Sequence, residues 1–361
     1  MNDERCRRRL PTVGAPDFHL VGISCFGDDT GNGNLLGIQP FMVPADYASE
    51  ERFHEKLHGY LRGSQEAGFI GERTVVVLPE YLGVWLVAVG EKESVYRART
   101  VSEGTSRLAA SRFVSFLRWL PFAGSPERAR RAVFLMKAEY MAAAYHRVFS
   151  RLAQQDRVTV VAGSIVLPDP HVTDGMLHVG RGPLYNVSVV YGPDGRARTP
   201  LVRKAFPIEE ELRYLSPGRI EELPVFETPA GRLGVLICAD SWHPIAYERL
   251  KEQSVEIIAV PSFLRPDGRW RQPWVGCSGA QPPDIDPSDQ QHLTEVEAWV
   301  KYALPGRLAQ SGARAGINVF LRGRLWDLGS DGQVLAVLGD TTSVGPDREG
   351  PALVNLWLGP P

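Results

Sequence analysis

The sequence of 361 residues contains only four cysteines, and no two of them are spaced as a Cys-x-x-Cys pair. This scarcity excludes a disulfide scaffold and argues against a cysteine-ligated metal or redox centre. The chain also lacks an excess of basic residues, because 40 lysines and arginines stand against 42 aspartates and glutamates, for a formal charge of −2. We therefore predict neither a nucleic-acid partner nor a membrane partner.

Long hydrophobic runs are missing as well. The most apolar stretch, 74–90, is shorter than the roughly 18–20 residues that a transmembrane helix needs, and it contains Pro79 and Glu80. The basic start MNDERCRRRL is followed by PTVGAPDF, which does not resemble the apolar part of a signal peptide. The sequence thus predicts a cytoplasmic protein in which 74–90 forms a buried strand and an apolar loop.

Hydrophobic residues make up 43% of the chain, and short β-branched runs alternate with amphipathic segments. This alternation indicates a layered α/β fold. Strands are predicted at 19–24, 74–78, 158–166, 184–191, 234–237, 256–260, 317–321 and 333–337, and helices at 49–67, 132–155, 245–253 and 292–311. Two segments, 81–131 and 264–291, fit neither pattern. We interpret them as irregular insertions, which often act as lids or specificity elements.

Three reactive side chains each follow directly on a short run that is typical of a strand. Glu80 ends VVVLPE, Lys204 ends TPLVRK and Cys238 ends GRLGVLIC. Catalytic groups tend to collect at the carboxyl ends of strands in α/β folds, so these residues are candidates for one site. A carboxylate can take the proton of a thiol, and an ammonium can stabilise a thiolate and then a tetrahedral oxyanion. The trio suits acyl transfer from a C–N bond through a thioester.

Spacing alone leaves other interpretations open. A cysteine after an apolar strand is commonly a small core residue, and an isolated glutamate or lysine is commonly a solvated charge. His243 lies five residues after Cys238 and could serve as base in a Cys–His hydrolase. Asp240 and Trp242 are expected to hold the turn after Cys238. A catalytically inactive binding protein is a further alternative.

A competing motif lies earlier in the chain. His54, Glu55 and His58 match His-Glu-x-x-His, which on a helix can bind zinc with the glutamate as base. Apolar neighbours supply the buried face of this helix, which predicts that both histidines lie on the protein surface. Activity lost to a chelator would indicate a zinc hydrolase, whereas thiol sensitivity would indicate Cys238.

Five segments resemble the nitrilase superfamily of carbon–nitrogen hydrolases and occur in that family's order. They are LPEYLG at 78–83, LYNVSVVYGPDGR at 184–196, VRKAFPIEEELRYLSPG at 202–218, GRLGVLICADSWHP at 231–244 and RLAQSGARAGINVFLRG at 307–323. The resemblance implies a four-layer α-β-β-α sandwich formed by residues 17–345, which contain both insertions. Residues 1–16 would be an N-terminal extension and 346–361 a C-terminal tail.

The resemblance also implies roles for individual residues, and neither a cofactor nor a metal. Cys238 is the expected nucleophile, and Glu80 the general base that later protonates the leaving amine. Lys204 is expected to stabilise the tetrahedral intermediate together with the backbone N–H of Ala239. Tyr81 is expected to contact the substrate.

A second glutamate, which helps to position the substrate in many members of the family, is expected at Glu211. The pattern Glu-x-Arg-Tyr-x-x-Pro-Gly places it there, and the neighbouring Glu209 and Glu210 remain alternatives.

The residues after the cysteine bear on the substrate. True nitrilases usually have tryptophan and glutamate there, whereas this chain has Ala239 and Asp240. The resemblance therefore favours a small-molecule amide or N-carbamoyl amine over a nitrile, which remains the alternative, and it implies a homodimer or larger homo-oligomer. Apolar residues of the first insertion could line an acyl site or pack in the core; they are Leu82, Val84, Trp85, Phe113, Phe116, Trp119 and Phe122.

Overall fold

The computed structural model describes residues 22–124, 126–266, 268–347 and 349–359. Its strands are β1 (Gly22–Phe26), β2 (Asn34–Gln39), β3 (Phe41–Met42), β4 (Thr74–Val77), β5 (Thr159–Val161), β6 (Ile165–Pro168), β7 (His171–Thr173), β8 (Met176–His178), β9 (Leu184–Ser188), β10 (Val190–Tyr191), β11 (Val202–Arg203), β12 (Val225–Thr228), β13 (Gly231–Val235), β14 (Ile257–Ser262), β15 (Ala315–Phe320), β16 (Arg322–Leu325), β17 (Leu328–Gly329), β18 (Leu335–Leu338), β19 (Thr341–Val344) and β20 (Ala352–Trp357). Its α-helices are α1 (Glu50–Glu66), α2 (Glu93–Tyr96), α3 (Val101–Ser111), α4 (Phe113–Trp119), α5 (Arg128–Asp156), α6 (Glu209–Leu212), α7 (Pro244–Glu252), α8 (Glu295–Tyr302) and α9 (Leu304–Ser311). The predicted extension 1–16 and the start of the predicted strand 19–24 lie outside the described residues.

Two six-stranded sheets form the centre of the fold. The first has the order β1-β20-β2-β4-β5-β10, and the second has the order β12-β13-β14-β15-β18-β19. In each sheet three parallel strands, β2-β4-β5 and β13-β14-β15, are flanked by antiparallel neighbours. Parallel strands buried on both faces are nearly continuous apolar runs, which is why β4, with the sequence TVVV, was predictable.

The two sheets stack face to face, with β2 against β15. Gly37 allows this close approach, because a Cβ atom there would lie 2.8 Å from the side chain of Ile317 and 3.0 Å from that of Val319. A larger residue would force the sheets apart in an interior that is otherwise close-packed.

Helices cover the outer face of each sheet. Phe53 of α1 and Phe149 of α5 pack edge to face in the apolar cluster of the first sheet, with ring centroids 5.9 Å apart. Trp299 of α8 and Leu308 of α9 belong to the cluster of the second sheet. The predicted four-layer α-β-β-α architecture is confirmed. None of the helices in the described ranges combines the length and apolar character needed to cross a membrane.

The prediction that 81–131 is irregular is wrong. The segment forms a 3₁₀ turn, Val84–Ala88, followed by α2, α3 and α4. These helices are short, and α4 buries none of its side chains, so they lack the long apolar stripe by which a helix is recognised in a sequence. The segment 264–291 contains only short 3₁₀ turns among its described residues, in agreement with its prediction.

Three boundaries also differ from the predictions. The helix predicted at 292–311 breaks at Ala303 into α8 and α9, because Pro305 lies in the first turn of α9 and cannot donate a backbone hydrogen bond. The strand predicted at 158–166 divides into β5 and β6 at Gly163. The predicted tail 346–361 supplies β20, which pairs with β1 and β2 inside the first sheet, so the fold continues past the predicted end at 345.

Candidate active site

Glu80, Lys204 and Cys238 lie close together in the folded chain. They follow β4, β11 and β13, and they are 2%, 2% and 7% exposed, respectively. Residues far apart in the chain thus place a carboxylate, an ammonium and a thiol in one buried site.

The turn that carries Glu80 is held by the chain between β5 and β6. Gly163 lies so close that a Cβ atom there would be 2.1 Å from the carbonyl oxygen of Pro79. The backbone N–H of Tyr81 donates to the Ser164 hydroxyl over 3.0 Å, and Tyr81 itself has a φ of 65°. These contacts turn the chain sharply after β4 and direct the Glu80 carboxylate inward.

The Lys204 ammonium lies between two buried carboxylates. Its Nζ is 2.8 Å from Oε1 of Glu80 and 2.6 Å from Oε2 of Glu211. Burial alone would lower the pKa of Lys204, but the two carboxylates outweigh burial and raise that pKa well above its usual value. Burial, assisted by the Glu211 carboxylate, raises the pKa of Glu80 despite the attraction of Lys204. Lys204 therefore remains charged, and Glu80 becomes a stronger proton acceptor.

Glu211 is the buried member of the three adjacent glutamates. It is 1% exposed, whereas Glu209 and Glu210 are exposed. Its Oε2 accepts a hydrogen bond of 3.0 Å from the backbone N–H of Ile208 as α6 begins. Burial acts to raise the pKa of Glu211, but Lys204 overcomes this effect and the net shift is downward.

Asn186 of β9 joins the two carboxylates, and sequence reasoning assigned it no role. Its Nδ2 donates to Oε1 of Glu80 over 2.9 Å and to Oε1 of Glu211 over 3.0 Å. The Tyr81 hydroxyl donates to the same Glu211 oxygen over 2.6 Å. The available signal was the polar asparagine within the apolar run LYNVSVV.

Cys238 begins the 3₁₀ turn Cys238–Trp242 and has a φ of 51°. Its Sγ is 3.7 Å from the carbonyl oxygen of Phe263. Burial, together with the Glu80 carboxylate, raises the pKa of Cys238. The free thiol is therefore protonated at neutral pH, and the Glu80 carboxylate lies beside it.

Asp240 ties the cysteine turn to the lysine segment. Its carboxylate accepts hydrogen bonds from the backbone N–H groups of Ala205, Phe206 and Ile237, at 3.0, 2.8 and 3.2 Å. Burial raises the pKa of Asp240 to about 7. Asp240 thus holds the turn, and Ala239, which precedes it, is half-buried and lines the cavity in front of Cys238.

The alternative sites are not assembled in this way. His54 is 3% exposed, so the prediction that it lies on the surface is wrong: it lies on the buried face of α1, and its ring stacks on that of His58 with centroids 5.5 Å apart. Across the described ranges, no group of three or more His, Cys, Asp or Glu residues is arranged to hold a metal ion. His243 stacks on Phe206 at 3.5 Å, and burial lowers its pKa to about 4.

A cavity of about 990 Å³ opens in front of the site and is lined by Glu80, Tyr81, Lys204, Glu211, Cys238 and Ala239, among others. Both insertions contribute to its wall. Of the seven apolar residues considered for an acyl site, Val84 and Trp85 line the cavity. Leu82 lies in the core, whereas Phe113 and Phe122 are 58% and 72% exposed, and Phe116 and Trp119 are half-buried.

The sequence model described as carbon-nitrogen hydrolase matches residues 50–280, a span that includes Glu80, Lys204 and Cys238. The chain belongs to the carbon-nitrogen hydrolase family. No curated protein matches the sequence of this hydrolase significantly.

Solved structures of an amidase from Nesterenkonia sp. AN1 share the fold of this carbon-nitrogen hydrolase. A variant with acrylamide added to its active-site cysteine is 14% identical, with a TM-score of 0.55 over 91% of this chain and 93% of that chain. A second variant, in complex with butyramide, is 14% identical, with a TM-score of 0.54 over 91% and 92% of the two chains. The amidase is described as a member of the nitrilase superfamily, and the predicted family is thus confirmed.

Proposed function

We propose that this chain hydrolyses the C–N bond of an amide or an N-carbamoyl amine through a thioester on Cys238. The observation that carries the proposal is the Lys204 ammonium, held between the buried carboxylates of Glu80 and Glu211 beside the Cys238 thiol. Ala239 and Asp240, which follow the cysteine where true nitrilases usually have tryptophan and glutamate, support an amide over a nitrile.

Acylation begins when Glu80 takes the thiol proton as Sγ of Cys238 bonds to the carbonyl carbon. Negative charge develops on the carbonyl oxygen, and Lys204 and the backbone N–H of Ala239 stabilise it. The C–N bond then breaks, and the proton on Glu80 moves to the leaving nitrogen. Ammonia or an amine departs, and the acyl group remains on Cys238 as a thioester.

Deacylation repeats these proton transfers with water. Glu80 takes a proton from a water molecule as its oxygen adds to the thioester carbonyl carbon, and Lys204 again stabilises the oxyanion. The C–S bond breaks, the acid leaves, and Cys238 regains its proton. The raised pKa of Glu80 suits a group that accepts and returns a proton in each half of the cycle.

The test is release of ammonia or amine from amides, N-carbamoyl amines and nitriles, with mass spectrometry of the intact protein. We expect turnover of an amide or carbamoyl compound, an acyl adduct on Cys238 and no effect of a chelator. Cys238→Ala should abolish both turnover and adduct, whereas Cys25→Ala, at a half-buried cysteine on β1, should retain them. Turnover retained by Cys238→Ala would overturn the proposal.

A further inference from the structure

The cavity in front of Cys238 is larger than a small amide needs. Its volume of about 990 Å³ lies at the upper end of the roughly 300–1,000 Å³ found for pockets of drug-sized ligands. The catalytic candidates form a small part of its wall. Much of the rest comes from apolar side chains of the core clusters of both sheets, and charged and hydroxyl side chains such as Arg130, Arg213 and Thr105 also line it.

One part of the cavity lining, here called the insertion chamber, consists of aromatic and aliphatic side chains of the first cluster. They are Trp85, Leu108, Phe134, Tyr214, Leu325 and Trp326. Phe134 and Tyr214 stack with parallel rings 6.0 Å apart. Arg130, which also lines the cavity, lies 3.7 Å from Glu127, so this charge is paired and the aromatic and aliphatic lining suits an apolar group.

Hydrogen bonds and close packing fasten the first insertion to the turn after β16. The indole N–H of Trp326 donates to the carbonyl oxygen of Val95 over 2.8 Å, and Asp327 accepts from the backbone N–H of Val101 over 2.8 Å. Gly104 lies against the indole so closely that a Cβ atom would be 2.5 Å from the ring. The insertion chamber is therefore preformed.

A second part of the lining, here called the tryptophan chamber, consists of side chains of the second cluster. Trp242 packs against Trp274 and Trp299 with ring centroids 5.7 and 5.0 Å apart. Two charged residues of this wall pair with each other: Arg269 lies 3.1 Å from Glu295, which also accepts from the indole N–H of Trp299. This chamber too suits an apolar group.

The Cys238 thiol contacts both of the apolar clusters that line the cavity. Cys238 belongs to the second cluster, and its Sγ is 3.7 Å from the carbonyl oxygen of Phe263, a member of the first. A carbonyl carbon bonded to this sulfur would therefore lie next to residues of both clusters. Resting on the function proposed above, we infer that the substrate is an N-substituted amide with a bulky apolar group on both its acyl and its amine side.

The experiment compares four compounds with the purified protein: butyramide, 4-phenylbutyramide, N-benzyl-4-phenylbutyramide and an N-carbamoyl amino acid. The second and third share an acyl group and differ in the leaving amine. We expect kcat/KM for N-benzyl-4-phenylbutyramide to exceed that for 4-phenylbutyramide by about 30-fold or more, since filling an apolar pocket discriminates between substrates on this scale.

Two substitutions fill the chambers separately. Thr105→Trp, on α3, narrows the insertion chamber, and Val275→Trp narrows the tryptophan chamber. Each should lower the ratio of kcat/KM for the N-benzyl amide to that for butyramide by about tenfold or more. The matched controls are Ser106→Trp, at the exposed neighbour on α3, and Val344→Trp on β19, because neither residue lines the cavity. Circular dichroism and thermal unfolding establish that each variant is folded.

Three results would overturn the inference. They are a preference for butyramide, filling variants with the same ratio as their controls, and a preference for the N-carbamoyl amino acid. The last would mean that Arg213 and Arg265, exposed residues of the cavity wall, receive a carboxylate. If no compound is hydrolysed and Cys238 takes up no acyl group, the proposed function itself is overturned, whereas hydrolysis without the expected preference overturns only the substrate class.

Discussion

Replacing Glu211 with glutamine should destabilise the protein far more than the same change at its neighbour Glu209. The Glu211 carboxylate accepts hydrogen bonds from Lys204, the Tyr81 hydroxyl, Asn186 and the backbone N–H of Ile208, at 2.6, 2.6, 3.0 and 3.0 Å. Glutamine keeps the shape of the side chain, but one of its two terminal atoms becomes an amide nitrogen that can only donate. At least one buried donor then loses its acceptor, and Lys204 loses one of its two carboxylates.

The magnitude follows from the burial of the pair. Both side chains of the Lys204–Glu211 pair are 2% exposed. Removing one partner of a buried ion pair costs about 3–5 kcal/mol. Because Lys204 keeps Glu80 as a partner, we expect a loss at the lower end, about 3 kcal/mol of the free energy of unfolding. Glu209 is exposed, so Glu209→Gln should change stability by no more than about 0.5 kcal/mol.

Urea unfolding at several pH values measures this difference. Lys204 lowers the pKa of Glu211 from its usual 4.5 against the opposing effect of burial. The stabilisation by Glu211 is therefore fully present above pH 4.5 and is lost as the pH falls through the lowered pKa. We expect the difference in the free energy of unfolding between the wild type and Glu211→Gln to be constant near pH 7 and to become smaller at acidic pH.

Glu80→Gln provides a contrast within the same site. Burial, assisted by Glu211, raises the pKa of Glu80 despite the attraction of Lys204. At pH values above the pKa that Glu80 has in the unfolded chain, its ionisation therefore lowers the free energy of unfolding. Its replacement should cost less stability than that of Glu211 while removing turnover. Equal losses at the two positions, or a change at Glu211 no larger than that at Glu209, would refute this reasoning.

Two further substitutions test the network and the insertion. Asn186→Leu removes a donor to the ionised form of Glu80, so the acid limb of the pH profile of kcat/KM should move to higher pH and kcat should fall about 10–100-fold. Ser188→Ala on the same strand is its control, and an unmoved limb would contradict the positioning role. Replacing a glycine with alanine in an ordinary helix stabilises it by about 0.5–1 kcal/mol. Gly104→Ala should instead lower the free energy of unfolding, measured in urea, by about 1–3 kcal/mol, because the added methyl group would collide with the Trp326 ring. A loss just as large in a Trp326→Leu background would contradict this explanation.

Local patterns made much of the fold predictable. The strands β4 and β13–β15 are apolar because both of their faces are buried, and α1 and α5 have apolar faces long enough to recognise. The helices of 81–131 and the strand β20 escaped prediction for different reasons. The helices of 81–131 bury few side chains. The strand β20 forms by pairing with β1 and β2, which lie more than three hundred residues earlier in the chain, so no local pattern indicates it.

The sequence by itself determined the reactive side chains and the strands that precede them. Glu80, Lys204 and Cys238 each lie at the end of a short, largely apolar run, and such a run can be recognised from neighbouring residues alone. Only the tertiary structure decided their partners. Lys204 pairs with Glu80 from 124 positions away, and Asn186 holds Glu80 from 106 positions away. The choice of Glu211 over its two neighbours depended on which carboxylate turns inward as α6 begins. Burial and ion pairing then set the charges of the site, and both arise from contacts between segments that are distant in the chain.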